Sequence, residues 1–90
     1  MNDSGNIITV NQAKNDLAVI SAARVRKLRR DHGLTQAELA DMIGCGHQLI
    51  SSLETCGHTA SIWVFAAIAQ LFGVTVDYLL GMDQGKGGRR

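Results

Sequence analysis

Two cysteine–histidine pairs are the part of this sequence that most resembles a reactive site. Cys45-Gly-His47 and Cys56-Gly-His58 repeat at a spacing of eleven residues. Two thiolates and two imidazoles form a common zinc site, but all four ligands must lie within ~2.3 Å of the ion. A helix between the pairs separates them by roughly 16 Å. That distance opposes a shared metal ion, and it forbids a disulfide, whose Cα atoms must lie within ~7 Å of each other.

No other combination of side chains in the sequence resembles a catalytic centre. No serine or cysteine stands in a pattern that supplies a general base, and no paired carboxylates are predicted to converge. A chain of 90 residues also disfavours most elaborate enzymes. We therefore expect no enzyme activity, no metal and no cofactor. Cys45 is interpreted as a small apolar residue of a turn, and Cys56 as a surface thiol.

The charges are distributed unevenly along the chain, although the net charge is only +1. Residues 31–85 contain six acidic residues and no lysine or arginine, and the last five residues contain three basic ones. The seven residues before the acidic stretch contain five basic side chains: Arg24, Arg26, Lys27, Arg29 and Arg30. A basic cluster on one helix indicates either a site for an anionic ligand or a solvated helix face.

The composition is that of one small folded domain. Of the 90 residues, 46% are hydrophobic, and none is proline. The longest apolar run, Ile62–Ala69, has eight residues, far fewer than the ~20 that a membrane span requires. The first residues also lack the basic and apolar segments of a signal peptide. We therefore expect a cytoplasmic protein without a membrane partner.

The apolar residues between the two ends of the chain recur with a helical period. A helix from about Ala22 to His32 is predicted to end at Gly33, a typical stop signal. Residues 11–20 form either a separate short helix capped by Asn11 or an extension of the next helix. The sequence leaves these two alternatives open.

Four further helices are predicted at short intervals. The first begins at a capping box, in which the Thr35 hydroxyl accepts from an amide and Glu38 reaches back, and it ends at Gly44. The other three are predicted over His47 to about Thr55, Ser61 to Phe72, and Val76 to Leu80, the last capped by Thr75. Five short helices joined by tight turns predict a compact all-α bundle. The predicted parts of the chain are an N-terminal extension (1–21), a helical domain (22–81) and a flexible basic tail (82–90).

The segment from Gln36 to Thr55 matches a helix-turn-helix unit. Two helices that cross near a right angle need a small residue where they touch, which Ala40 provides, and Gly44 suits the turn. Ile50 and Leu53, three residues apart, are expected to pack the second helix inward. Small, glycine and apolar residues at these offsets are typical of a DNA-binding helix-turn-helix.

The similarity extends beyond this unit to about two thirds of the chain. The sequence resembles the Xre family, which contains the lambdoid phage repressor and Cro-like domains, in the runs VRKLRRDHGLTQAELA (25–40) and LFGVTVDYLLG (71–81). The motif Ile-Ser-x-Leu-Glu at 50–54 lies between them in the family's order and spacing. This resemblance implies a five-helix, lambda-repressor-like domain that binds double-stranded DNA.

The resemblance also implies roles for individual residues. The second helix of the unit, the recognition helix, would present four residues to the bases: His47, Gln48, Ser51 and Ser52. Three residues would contact DNA phosphates: Arg29, Gln36 and Thr55. The basic cluster from Arg24 to Arg30 is expected to fix the register on phosphate as well, with Arg24 as the further candidate contact. Arg29 is further expected to form an ion pair with Glu54, separated by less than ~4 Å, that locks the recognition helix to the first helix.

Two segments depart from the family pattern. Residues 56–60, after the recognition helix, contain no lysine or arginine, where relatives carry a cation that grips phosphate. The fourth helix is apolar on nearly every side, with Trp63 and Val64 on its outer face and Ile62 expected to face inward. Because such a helix is usually buried on both sides, we expect Trp63 and Val64 to form a protein interface. The alternative is that the N-terminal 20 residues cover this helix.

Together these patterns predict a sequence-specific transcriptional regulator, a repressor that binds a pseudo-palindromic operator as a homodimer. The alternative is an antitoxin-like or scaffold protein that binds a protein partner through its apolar fourth helix, with DNA binding secondary. The uncharged recognition helix and Trp63 keep this alternative open.

Overall fold

The computed structural model describes residues 7–56 and 61–83, and within them every regular element is an α-helix. The elements are α1 (Val10–Asp31), α2 (Gln36–Ile43), α3 (His47–Cys56), α4 (Ile62–Phe72) and α5 (Val76–Leu80). The predicted all-α fold is confirmed. No helix in this part of the chain is long and apolar enough to cross a membrane. Four predicted features lie outside the described residues and side chains: the start of the extension (1–6), the Cys56 thiol, His58, and residues 84–90 of the tail.

Helix α1 is one continuous helix of 22 residues, so residues 11–20 extend the helix that follows them. Its N-cap is Thr9, whose hydroxyl accepts a hydrogen bond from the amide three residues later, and not Asn11. The helix crosses the predicted domain boundary, where the consecutive residues Ser21 and Ala22 are both buried. The predicted extension and the helical domain therefore share one element.

The short helices depend on caps, because isolated helices of their length are marginal in water. At the start of α2, the Thr35 hydroxyl accepts from the Glu38 amide at 3.0 Å, and the Thr35 amide donates to the Glu38 carboxylate at 2.8 Å. Helix α2 ends at Gly44, whose φ of +73° lies in the left-handed region that favours glycine. Thr75 caps α5 by accepting from the Tyr78 amide. These predicted start and stop signals are confirmed.

A cluster of apolar side chains joins the five helices. Helix α1 packs on α3 and α5, α2 packs on α3 and α4, and α4 packs on α5. Every helix contributes to the buried cluster: Val25, Leu39, Ala40, Ile50, Leu53, Phe65, Ile68, Ala69 and Leu79. Because α3 meets both α1 and α2 through this cluster, one face of α3 is fixed against the core and the other faces outward.

Gly81, which ends α5, allows the N-terminal half of α1 to approach the bundle closely. Its φ is +80°, and a Cβ atom placed on it would lie 2.7 Å from Cγ2 of Ile20. Any other residue would therefore be strained in its backbone and would collide with α1. The contact holds the predicted N-terminal extension against the turn after α5.

Candidate nucleic-acid interface

The turn between α2 and α3 positions the predicted recognition helix, α3. Three residues separate the two helices, beginning with the left-handed Gly44. The Cys45 amide donates to the Ala40 carbonyl at 2.9 Å, which closes the end of α2. The Leu49 amide donates to the Gly46 carbonyl at 3.1 Å, which begins α3. Backbone hydrogen bonds thus fix the turn on both sides.

Helix α3 presents a polar face away from the core. Its inward residues Ile50 and Leu53 are fully buried, as predicted. The four residues predicted to contact bases are separate from this inward pair. Ser51 is half-buried, and the other three are exposed: His47, Gln48 and Ser52. The face carries hydrogen-bonding groups and no lysine, arginine or carboxylate. The amide, hydroxyl and imidazole groups of this face can form hydrogen bonds with base edges.

The carboxylate of Glu54 anchors α3 to the two preceding helices. Arg29 on α1 donates to it twice, from Nε to Oε2 at 2.6 Å and from Nη2 to Oε1 at 2.9 Å. Gln36 on α2 donates from Nε2 to Oε1 at 3.2 Å, and Arg29 Nη1 donates to the Leu34 carbonyl at 2.7 Å. Glu54 is only 3% exposed. The expected contact under ~4 Å is present, and its hydrogen bonds raise the pKa of the Arg29 guanidinium.

Two of the residues predicted to contact phosphate lie beside this anchor. Gln36 is the first residue of α2, where free amides and the helix dipole favour an anion. Its amide nitrogen carries two hydrogens, and one of them is used by Glu54. Thr55 is exposed in the last turn of α3, where its hydroxyl donates to the Ser51 carbonyl at 2.9 Å. Both positions are compatible with the predicted contacts.

Arg24 lies apart from α3 and is held by the end of α5. Its Nη1 donates to the Tyr78 carbonyl and lies 2.7 Å from Oδ1 of Asp83, and its guanidinium stacks 4.3 Å from the centre of the Tyr78 ring. These contacts use Arg24 to fasten α1 to α5. The structure therefore does not bring Arg24 together with the other residues predicted to contact phosphate.

Arg26, a member of the basic cluster to which the sequence assigned no individual role, also reaches this site. Its Nη1 donates to the Glu54 carbonyl at 3.4 Å, so it reaches the last turn of α3. A signal for it exists in the sequence, because Arg26 lies three residues before Arg29, and residues at that spacing share a helix face.

The cysteine that the structure describes at side-chain level, Cys45, is half-buried and packs against the core. Burial raises the pKa of its thiol above the ordinary value, so the thiol is neutral near pH 7. This agrees with its interpretation as a small apolar residue of the turn. Within residues 7–56 and 61–83, no group of three or more histidines, cysteines or carboxylates lies close enough to hold a metal ion.

The outer side of α4 is a second exposed feature, separate from α3. Trp63 is 78% exposed, whereas Val64 is half-buried and packs against the core. Ile62, predicted to face inward, is 54% exposed, because it is the first residue of the helix and lies beyond the packed turns. Within the described part of the N-terminal extension, residues 10–21 belong to α1, which packs on α3 and α5. It leaves Trp63 uncovered.

Two helices joined by a three-residue turn, with the second helix exposed, form a helix-turn-helix unit. The sequence model of the helix-turn-helix family matches residues 25–79. The chain therefore belongs to the helix-turn-helix family, and its predicted Xre-like character is confirmed.

Two proteins to which the chain is similar are named as transcriptional proteins. One is YobD of Bacillus subtilis (strain 168), an uncharacterized HTH-type transcriptional regulator, with 34% identity over 59 residues, 66% of this chain and 53% of that protein. The chain thus spans about half the length of this curated relative. The other is the crystal structure of the hypothetical transcription factor NHTF from Neisseria, with a TM-score of 0.67 and 27% identity. That match covers 74% of this chain and 77% of the other.

The anchor predicts that two substitutions of basic residues on α1 have very different effects on the stability of the fold. Arg29→Met leaves the Glu54 carboxylate buried and unpaired, so we expect the free energy of unfolding to fall by about 3–5 kcal/mol. Lys27→Met removes the same charge from an exposed pair with Asp31 and is expected to change stability little. Urea unfolding followed by circular dichroism measures both. Equal losses in the two variants would contradict the anchoring role of Arg29.

Proposed function

We propose that this chain is a sequence-specific DNA-binding transcriptional regulator, and that α3 enters the major groove of its operator. The observation that carries the proposal is the exposed polar face of α3 on a helix fixed from behind by the buried Glu54. Membership of the helix-turn-helix family supports it, as do the names of the two similar proteins. Such a regulator acts in the cytoplasm of a bacterial cell, where the DNA lies.

In this proposal, base recognition falls to the first turns of α3. Gln48 is exposed and carries an amide, which pairs with the N6 and N7 atoms of adenine. His47 donates to guanine N7 or to a phosphate, and Ser51 and Ser52 donate to or accept from neighbouring base edges. A good bidentate contact, such as the one proposed for Gln48, discriminates by about 1–3 kcal/mol against the wrong base.

The contacts that set the register on DNA come from the helices around α3. Gln36 offers its remaining amide hydrogen, together with the positive end of α2, to a phosphate. Thr55 is exposed in the last turn of α3, and Arg29 shares the Glu54 carboxylate with Gln36. Both are proposed to contact the backbone as well. Arg24 takes this role only if it leaves Asp83 and Tyr78.

We further propose that the regulator is a repressor that acts as a homodimer on a pseudo-palindromic operator. A two-fold symmetric protein places its two α3 helices one helical turn of DNA apart, about 34–36 Å, and so reads two related half-sites. The exposed Trp63 is the proposed contact between the copies, with Val64 supporting it from the core side. Repression follows if the bound dimer occupies the promoter.

The second candidate function is a protein-interaction module of the antitoxin or scaffold type, and the exposure of Trp63 favours it. In that case a different protein, rather than a second copy, covers Trp63. DNA binding is then a secondary activity.

The DNA-binding proposal predicts the result of bound-fragment sequencing with the purified chain. We expect recovery of a pseudo-palindromic sequence, and a loss of about tenfold or more in affinity for it in Gln48→Ala, because one bidentate base contact is removed. Gln70→Ala, which removes an exposed glutamine from α4, is the matched control and should bind normally. Recovery of no sequence by the folded chain, or equal binding by both variants, would contradict base reading by α3.

The oligomeric state separates the two candidate functions. Sedimentation equilibrium is expected to give a dimer that Trp63→Ala converts to monomer, because a large apolar surface is then lost from the interface. Met42→Ala removes another exposed apolar side chain, 55% exposed on α2, and should leave the dimer intact. A monomer that binds a single half-site would contradict the homodimer. A chain that binds no DNA at low salt would favour the interaction module.

A further inference from the structure

The C-terminal end of α3 poses an electrostatic problem for any anionic ligand. The last carbonyls of a helix lack intrahelical partners and carry a partial negative charge. Helix α3 has no basic residue in its last turn, and residues 31–85 contain no lysine or arginine at all. A positive charge at this end of α3 must therefore come from another part of the chain.

Arg26 supplies that charge from α1. Its Nη1 donates to the Glu54 carbonyl in the last turn of α3, at 3.4 Å, and its side chain is half-buried there. Two residues along a helix correspond to a rotation of about 200°, so Arg24 and Arg26 project from opposite flanks of α1. This rotation explains why Arg24 reaches α5 whereas Arg26 reaches α3.

Arg26 also differs from three other members of the basic cluster, which form ion pairs with carboxylates. Arg24 pairs with Asp83, Lys27 with Asp31 and Arg29 with Glu54. Among residues 7–56 and 61–83, no carboxylate pairs with Arg26. Its guanidinium has five N–H groups, and a carbonyl is a neutral partner for one of them.

The length of α3 places Arg26 close to the DNA backbone. Ten residues extend about 15 Å, and the major groove is about 12 Å wide. If the first turns of α3 contact bases at the floor of the groove, its last turn lies near the edge, where the phosphates are. Arg26 lies beside that last turn.

We infer that Arg26 binds a DNA backbone phosphate at the C-terminal turn of α3, while its contact with the Glu54 carbonyl holds it in place. It is the phosphate-contacting cation that the acidic stretch around α3 lacks. This inference rests on the proposed DNA-binding function, and it assigns to α1 the charge that fixes the depth of α3 in the groove.

The test uses a mixed-sequence duplex of about three helical turns, because phosphate contacts do not depend on base sequence. Fluorescence anisotropy gives the affinity of each variant between about 50 and 200 mM salt. For Arg26→Gln we expect the slope of log affinity against log salt to fall by about 0.9, and the affinity near 0.1 M salt to fall roughly eightfold. Arg26→Lys should recover most of the slope.

Lys27→Gln is the matched control, because it removes one positive charge from the residue next to Arg26. Lys27 forms an exposed ion pair with Asp31. This variant should keep the slope and the affinity of the unmodified chain. Circular dichroism and thermal unfolding establish that each variant is folded.

The outcomes separate the inference from the function on which it rests. Failure of the folded, unmodified chain to bind the duplex at low salt overturns the proposed function and this inference with it. Binding by the unmodified chain with the same slope in Arg26→Gln overturns the inference alone. A weaker affinity with an unchanged slope also overturns it, since Arg26 then acts only by capping α3.

Discussion

The structure depends on one buried interaction, the ion pair between Arg29 on α1 and Glu54 on α3. Removing two charges from water is costly, and two hydrogen bonds of 2.6 and 2.9 Å together with a third from Gln36 compensate for it. A buried pair of this kind adds little net stability over an apolar contact of equal volume. Its effect on geometry is larger than its effect on stability, because both oxygens of Glu54 have defined partners on α1 and α2. The pair therefore fixes how α3 is rotated and tilted.

That constraint makes the outer face of α3 available for binding. Because Ile50 and Leu53 fill the core and Glu54 is held from behind, the exposed residues His47 and Gln48 of α3 face outward. An uncharged polar face on a fixed helix favours recognition by hydrogen-bond geometry rather than by bulk charge. The net charge of +1 is consistent with this, since the cations lie on α1 and in the C-terminal tail. The cations of the basic cluster therefore have different partners: Arg24 contacts α5, Arg29 pairs with Glu54, and Arg26 lies beside α3.

Local signals in the sequence predicted most of the fold. Some signals act within a few residues and can be recognised without knowledge of the tertiary structure. They include the capping box at Thr35, the glycine at 44 and the threonine cap at 75. The Arg29–Glu54 contact was predicted from the family resemblance, not from the local pattern. Tertiary packing decided whether residues 11–20 form a separate helix or extend the next one. No residue between 11 and 22 breaks the helix, and the contact of Ile20 with Gly81 supports the extension. The division between Arg24 and Arg26 likewise needs the positions of α5 and α3, and the exposure of Ile62 follows from where α4 starts.

The most direct test of this account replaces the anchor with apolar side chains and measures amide hydrogen exchange in the variant carrying both Arg29→Met and Glu54→Leu. If the pair contributes orientation more than stability, global unfolding should need a similar free energy, because the replaced charges no longer require compensation. The amides of α3 should then exchange faster through local opening, while those of α4 and α5 keep their protection. Unchanged protection in α3 at equal global stability would contradict the claim that this ion pair holds the helix in place.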